Sequence, residues 1–370
     1  MVSKQLKEYC GFCKRNGLLF AALSAWAVLW ALTGKPVRYI PAYVDWDAIV
    51  TLSGLLLITT AIKESGFFHW LAFRISKHIA NMRRLAMFLV FTSAVLAMFL
   101  TNDIALFIMV PLTLSLQSIS NEDYIKLIVF EAIAVNSGSS LTAVGNPQNI
   151  LLWHKWGLSF PLFIKEMLPL GVVFAFWLGL GLWLIFPSAP IDSINGRNPK
   201  IYSSSFWFSI IFLIVFILTT EFNYDKYCLG FLSVYYLFFR RDVLKNADWG
   251  LILLFIIIFI DVNLFYRLHV VNRFMAGLDL QNGRVLFVSG ALISQIISNV
   301  PATILLVNYS SQFKLITYAV NIGGNGLLIA SFANIIALRF IKSSHKYRYF
   351  HEYSILYFLV TAFSVYILLL

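Results

Sequence analysis

The sequence predicts an all-α polytopic membrane protein built as two inverted repeats, each with a re-entrant hairpin and a discontinuous transmembrane helix. Three observations predict it: a composition too apolar for water, long apolar runs of which two are interrupted by polar residues, and the same polar motifs recurring in the same order in both halves. Of the 370 residues, 60% are apolar and 12% charged, against roughly 45–50% and 25% in soluble domains. Mean hydropathy is +0.80. A cytosolic enzyme, a nucleic-acid binder and a disordered scaffold are excluded on these grounds. The net charge of +11 would suit a nucleic-acid partner in a soluble chain; here the basic residues follow the loops. Cys10, Cys13 and Cys228 imply no disulfide framework, and Cys10-Gly11-Phe12-Cys13 has no second pair to complete a metal site.

A hydrocarbon layer about 30 Å thick takes about 20 apolar residues per helix. Such runs cover residues 17–33, 47–62, 127–153, 168–187, 205–220, 227–239, 249–264, 315–338 and 353–370. The start is basic and then apolar, as in a leader, but no small-residue cleavage pattern follows, so 17–33 reads as a retained span. Residues 85–119 and 285–312 are broken at Thr101-Asn102-Asp103 and at Ser298-Asn299-Val300-Pro301. Each reads as a hairpin that enters and leaves on one side. With the N-terminus inside, 19 of the 28 basic residues then fall in inner segments and 9 in outer ones. That bias places the N-terminus inside and the C-terminus outside the cytoplasmic membrane.

Residues 188–204 form a hydrophilic linker. The first repeat is residues 1–187, with an N-terminal scaffold span, the hairpin 85–119 and the broken helix 127–153. The second is residues 205–370, with the hairpin 285–312 and the broken helix 315–338. Asp45-Trp46 opens a span in one half and Asp248-Trp249 in the other. After each hairpin comes Asn136-Ser137-Gly138 or Asn321-Ile322-Gly323, and thirteen residues beyond the first Asn stands Asn149-Ile150 or Asn334-Ile335. Inverted repeats with discontinuous helices mark secondary transporters whose site lies at the repeat interface. Close helix packing explains isolated Asn, Ser or Gly residues in a membrane, but not their paired order.

A break inside a membrane strands N–H and C=O groups at several kcal/mol each unless they are buried or wetted, so it persists where those groups bind something. In the first broken helix Asn136, Ser137, Gly138, Ser139, Thr142, Gly145, Asn146, Pro147 and Asn149 carry this character. In the second, Asn321, Gly323, Gly324, Asn325 and Asn334 do, with glycines in place of the proline. Asp103, Glu131 and Asp261 are the carboxylates within apolar segments. Asp103, at the first hairpin break, is the candidate for a coupling proton or cation; its plain alternative is a helix cap. Glu131 lies near the inner end of its span and Asp261 near the outer end, which suits interfacial roles. No lysine or arginine falls among the site candidates, so an anion there relies on helix dipoles, amides and hydroxyls. No Walker loop, His-rich metal site or nucleophile triad is present, and no enzyme activity or cofactor is expected.

At these motifs the chain resembles the ion transporter superfamily of arsenite permeases, NhaD-type sodium/proton antiporters, citrate carriers and divalent-anion/sodium symporters. The resembling parts are Leu100-Thr101-Asn102-Asp103, the run from Asn136 through Gly145-Asn146-Pro147-Gln148-Asn149, Ser298-Asn299 through Thr303, and Asn321-Ile322-Gly323-Gly324. Gly-Asn-Pro-Gln-Asn with Thr-Asn-Asp is most similar to the arsenite-permease-like branch. The resemblance implies a homodimer with a scaffold part and a mobile part, two hairpins meeting two broken helices at the substrate site, and an elevator motion. In the dicarboxylate branch Ser-Asn-Thr at each hairpin tip touches substrate and flanks the sodium sites. By position these are Thr101, Asn102, Asp103 and Ser298, Asn299, Val300, and this chain departs at the third of each. The expected function is secondary transport of a small inorganic or carboxylate anion, or arsenite, coupled to H+ or Na+. A sodium/proton antiporter of the same fold is the first alternative and a passive channel a remoter one.

Overall fold

A computed structural model describes residues 17–33, 37–44, 46–79, 81–120, 124–190, 202–221 and 224–370. The Cys10–Cys13 pair, the basic N-terminal segment, Asp45 and most of the expected linker lie outside the described residues. Among the described residues the structure is helical, with one isolated antiparallel bridge between Asn81 and Pro190. The helices are α1 (Gly17–Thr33), α2 (Trp46–Glu64), α3 (Phe67–His78), α4 (Met82–Leu100), α5 (Asn102–Ser120), α6 (Ile125–Ser139), α7 (Pro147–Trp156), α8 (Phe160–Ile185), α9 (Ser203–Glu221) and α10 (Asp225–Phe239). They continue as α11 (Arg241–Asn246), α12 (Trp249–Tyr266), α13 (His269–Ala276), α14 (Gly283–Ile297), α15 (Asn299–Leu306), α16 (Phe313–Gly323), α17 (Phe332–Phe340) and α18 (Lys346–Leu368).

The apolar runs become helices, and both interruptions fall between helices. α4 and α5 are joined through the single residue Thr101, and α14 and α15 through Ser298. The run 127–153 divides into α6 and α7. The run 315–338 divides into α16, a 3-10 turn at Leu328–Ala330, and α17. Periodicity did not signal α3, α11 or α13, which are short and carry charged residues among their apolar ones. Among the described residues α2, α4, α8 and α18 are each long and apolar enough to cross a bilayer, and α12 with α13 forms a further candidate bent by 60°. α14 and α15, of 15 and 8 residues, are too short to cross alone at about 1.5 Å per residue.

The chain forms two compact units. One comprises residues 1–64 and 203–278, the other residues 65–202 and 279–370. In the first, α2 packs against α9 and α10, and α1 packs against α12. Gly54 lets the Phe216 ring lie directly on the α2 backbone, where a Cβ would overlap it. Asp225, buried at the start of α10, accepts from the Thr51 hydroxyl at 3.2 Å.

In the second unit the heavily buried helices α6 and α16 each lie against the first arm of a hairpin, α6 on α4 and α16 on α14. The helix after each break crosses to the other set: α7 packs on α15 and α16, and α17 packs on α5 and α6. The outer faces are apolar. Phe176, Leu184 and Phe363 stay more than half exposed, a surface suited to lipid.

Candidate functional site

The two hairpin junctions share an unusual backbone. Among the described residues Thr101 and Ser298 are the two non-glycine residues with positive φ, at φ 68°, ψ 156° and φ 73°, ψ 154°. That region is almost reserved for glycine and costs about 1–3 kcal/mol per residue. The tip at Thr101 is tied to the first break. Asn102 N–H donates to the Gly145 carbonyl at 3.0 Å, and the Thr142 hydroxyl donates to the Met98 carbonyl at 2.6 Å. Gly138 brings α6 onto the Ala94 carbonyl of α4, leaving no room for a Cβ.

The broken helices are joined by their asparagines. Asn136 Nδ2 donates to Asn334 Oδ1 at 2.8 Å, and Asn321 Nδ2 donates to Asn149 Oδ1 at 2.8 Å. Each asparagine before a break is thus bonded to the one after the other break. The return bonds follow the same spacing. Asn149 Nδ2 donates to the carbonyls of Ser139 (3.3 Å) and Thr142 (2.9 Å), three and six residues after Asn136. Asn334 Nδ2 donates to those of Gly324 (3.0 Å) and Leu327 (3.4 Å), three and six residues after Asn321. Ser139 and Gly324 offer carbonyls at the ends of the first half-helices, where no intrahelical partner exists, and Thr142 and Leu327 offer theirs within the breaks.

Asn146 adds a further link. Its Oδ1 caps α7 by accepting from Asn149 N–H at 2.9 Å, with Pro147 at the first helical position, where a missing N–H costs nothing. Its Nδ2 donates to Asn321 Oδ1 at 3.0 Å and to the Ser139 hydroxyl at 3.1 Å. Ser331 donates to Asn136 Oδ1 at 2.9 Å. At the second tip Asn299 Oδ1 accepts from Val300 N–H at 2.9 Å. Its Nδ2 lies against Gly324, within 2.9 Å of where a Cβ would stand.

The expected residues therefore separate. Asn136, Ser139, Thr142, Gly145, Asn146, Asn149, Asn321, Gly323, Gly324 and Asn334 meet at the breaks, and Asn102 and Asn299 reach them from the tips. Ser137 turns away and bonds the Tyr357 hydroxyl at 3.0 Å. Thr303 bonds back to the Asn299 carbonyl of its own helix at 2.8 Å. Pro147 is exposed.

Four side chains here keep buried polar atoms without a partner: Asn102 Oδ1, Asp103 Oδ1, Gln148 Oε1 and both amide atoms of Asn325. Asp103 occupies the first turn of α5, where a helix N-terminus favours an acid.

Sequence reasoning missed Gln295. Its Nε2 donates to the Gly323 and Asn325 carbonyls at 2.8 Å each, and its Oε1 accepts from Leu327 N–H at 2.7 Å. An amide three residues before Ser298 in an apolar arm was the available signal. Ser354, which accepts from Gly326 N–H at 2.8 Å, gave none, since a serine in a long helix is ordinary. Glu131, near the inner end of its span, is fully buried.

An apolar helical chain with two broken helices and two hairpin tips meeting among amides has the form of a membrane transporter. The sequence pattern of the citrate transporter family matches residues 17–312. The chain is 41% identical over 330 residues to the inner membrane protein YbiR of Escherichia coli, covering 89% of each chain. It is 34% identical over 303 residues to an uncharacterized transporter of Methanocaldococcus jannaschii, covering 80% of this chain and 81% of that one. A likeness of 27% over 193 residues to the P protein of Mus musculus covers half of this chain and 22% of that one. The protein is a multi-pass membrane transporter and not an enzyme; it belongs to the citrate transporter family.

Proposed function

We propose that the protein is a secondary active transporter of a small anion, carboxylate or arsenite, coupled to H+ or Na+, working by elevator-type alternating access. The observation that carries this reading is the reciprocal pair of asparagine bonds, Asn136 to Asn334 and Asn321 to Asn149. A two-fold exchange of bonds between two broken helices supports the reading of the halves as inverted repeats with a shared site at their interface. The groups meeting at the breaks are amides, hydroxyls and backbone carbonyls, which hold a solute by hydrogen bonds without a fixed counter-charge. The name of the family supports citrate and related carboxylates as the first substrates to try, and the arsenite-permease-like motif supports arsenite as the next. The chain is read as a homodimer with its N-terminus inside and C-terminus outside.

The test is counterflow into proteoliposomes preloaded with unlabelled solute, using labelled citrate, succinate and arsenite in turn. Counterflow of one of them, lost in Asn102→Ala and Asn299→Ala, is the expected result. Absence of exchange for all three by folded protein sinks the anion reading. A sodium/proton antiporter of the same fold then takes its place. That second reading is favoured by the two oxygens without partners on adjacent residues, Asn102 Oδ1 and Asp103 Oδ1, since oxygen donors suit hard cations.

A further inference from the structure

Glu131 sits five residues before Asn136 on α6 and is fully buried. One carboxyl oxygen, Oε1, bonds the Thr113 hydroxyl of α5 at 2.5 Å. The other, Oε2, is buried without a partner. None of the ion pairs among the described residues includes it.

The helices packed on α6 bring no counter-charge into bonding range. On α6 itself the Lys126 ammonium lies over the rings of Tyr349 and Tyr353 at 5.5 and 5.8 Å. On α18 the Lys346 ammonium donates to the Leu338 and Ile341 carbonyls at 2.8 Å each, and the Tyr357 hydroxyl donates to the Phe174 carbonyl at 3.0 Å. On α8 Glu166 pairs with Lys314 at 2.7 Å. Asp103 precedes Thr113 by ten residues of α5, about 15 Å along the helix. On the remaining helices the charged groups stand at helix ends, Arg83 and Arg84 in the first turn of α4 and Arg339 in the last turn of α17.

Burial without a counter-charge disfavours a carboxylate strongly, whereas the neutral acid needs only its hydrogen bonds. We propose that Glu131 is a proton-binding site of the transport cycle, with Thr113 holding the carboxyl in place and Oε2 receiving the proton. In each cycle a proton passes from water on one face to Oε2 and then from Oε2 to water on the other face, with no other bond made or broken. The reading rests on the proposed transport function and names H+ as the coupling ion. A bond that merely ties α5 to α6 would be served equally well by glutamine, which fills the same space and still accepts from Thr113.

Glu131→Gln separates the two. In proteoliposomes the variant is expected to keep labelled-citrate counterflow and to lose accumulation driven by an imposed pH gradient, falling to the level seen with a protonophore. In detergent, the infrared band of a protonated buried carboxyl is expected in the unaltered protein and absent from the variant. Should the variant fail to fold, Thr113→Val is expected to shift the pH at which that band disappears. A Glu131→Gln protein that still accumulates citrate on a pH gradient overturns the proposal and leaves the transport reading intact. If the unaltered protein shows no citrate counterflow, citrate falls as substrate while the infrared band still decides Glu131: a band unchanged in Glu131→Gln overturns the proposal, and its loss supports it.

Discussion

Thr101 and Ser298 adopt the same left-handed backbone, φ 68°, ψ 156° and φ 73°, ψ 154°, each as the single residue between two helices. Both stand at the polar break of a hairpin, so the same strained backbone recurs at corresponding places in the two halves of the sequence. At such angles glycine is at ease and a β-carbon is not.

Thr101→Gly and Ser298→Gly relieve about 1–3 kcal/mol of strain each, offset by about 0.5–1 kcal/mol of added chain freedom in the unfolded state. Both variants are expected to melt in detergent no lower than the unaltered protein while counterflow falls. A markedly lower melting temperature would show that the hydroxyl side chains hold the tips together.

Asn136→Ala removes bonds to Asn334, Gly324 and Ser331 in one step. Stranding buried amide partners costs about 1–3 kcal/mol. The double variant with Asn334→Ala is expected to cost less than the sum of the singles, because they share one bond. Strict additivity in the melting measurements would contradict the asparagine clasp.

Gly138→Ala places a methyl group on the Ala94 carbonyl, which as backbone cannot turn aside. Overpacking of this kind costs about 1–3 kcal/mol or more, and low yield of folded protein is expected. Gly230→Ala meets open space and serves as the control, with melting unchanged or slightly raised.

Asp103→Asn removes a charge beside the first tip and keeps the shape. On the sodium/proton antiporter reading, in which Asp103 holds the cation, sodium/proton exchange in proteoliposomes is expected to disappear in this variant. Unchanged exchange would leave the residue as the helix-starting acid of α5.

Glycine, proline and asparagine spacings made the breaks legible. Gly145 lies within the first break and Pro147 starts the helix after it, and in both broken helices an Asn–Ile pair stands thirteen residues after the first asparagine. Hydropathy located the long helices for the plain reason that a bilayer needs apolar side chains around closed backbone bonds. It could not see α3, α11 or α13, whose short amphipathic patterns carry no long apolar run. Nor could it separate Asn136, which bonds across to the other broken helix, from Ser137, which faces Tyr357, because neighbours on a helix point about 100° apart and only packing chooses between them.

By itself the sequence determined the class of protein, the places where helices break and the polar residues at those breaks. These depend on composition and on local backbone preference, which each residue carries with it. The tertiary structure alone decided the partners. It set Asn136 on Asn334 across 198 residues and Asn321 on Asn149 across 172, brought Gln295 onto the second break, and buried Glu131 against Thr113. Hydrogen bonds between distant segments are chosen by which faces meet when apolar helices pack, and no local preference encodes that choice.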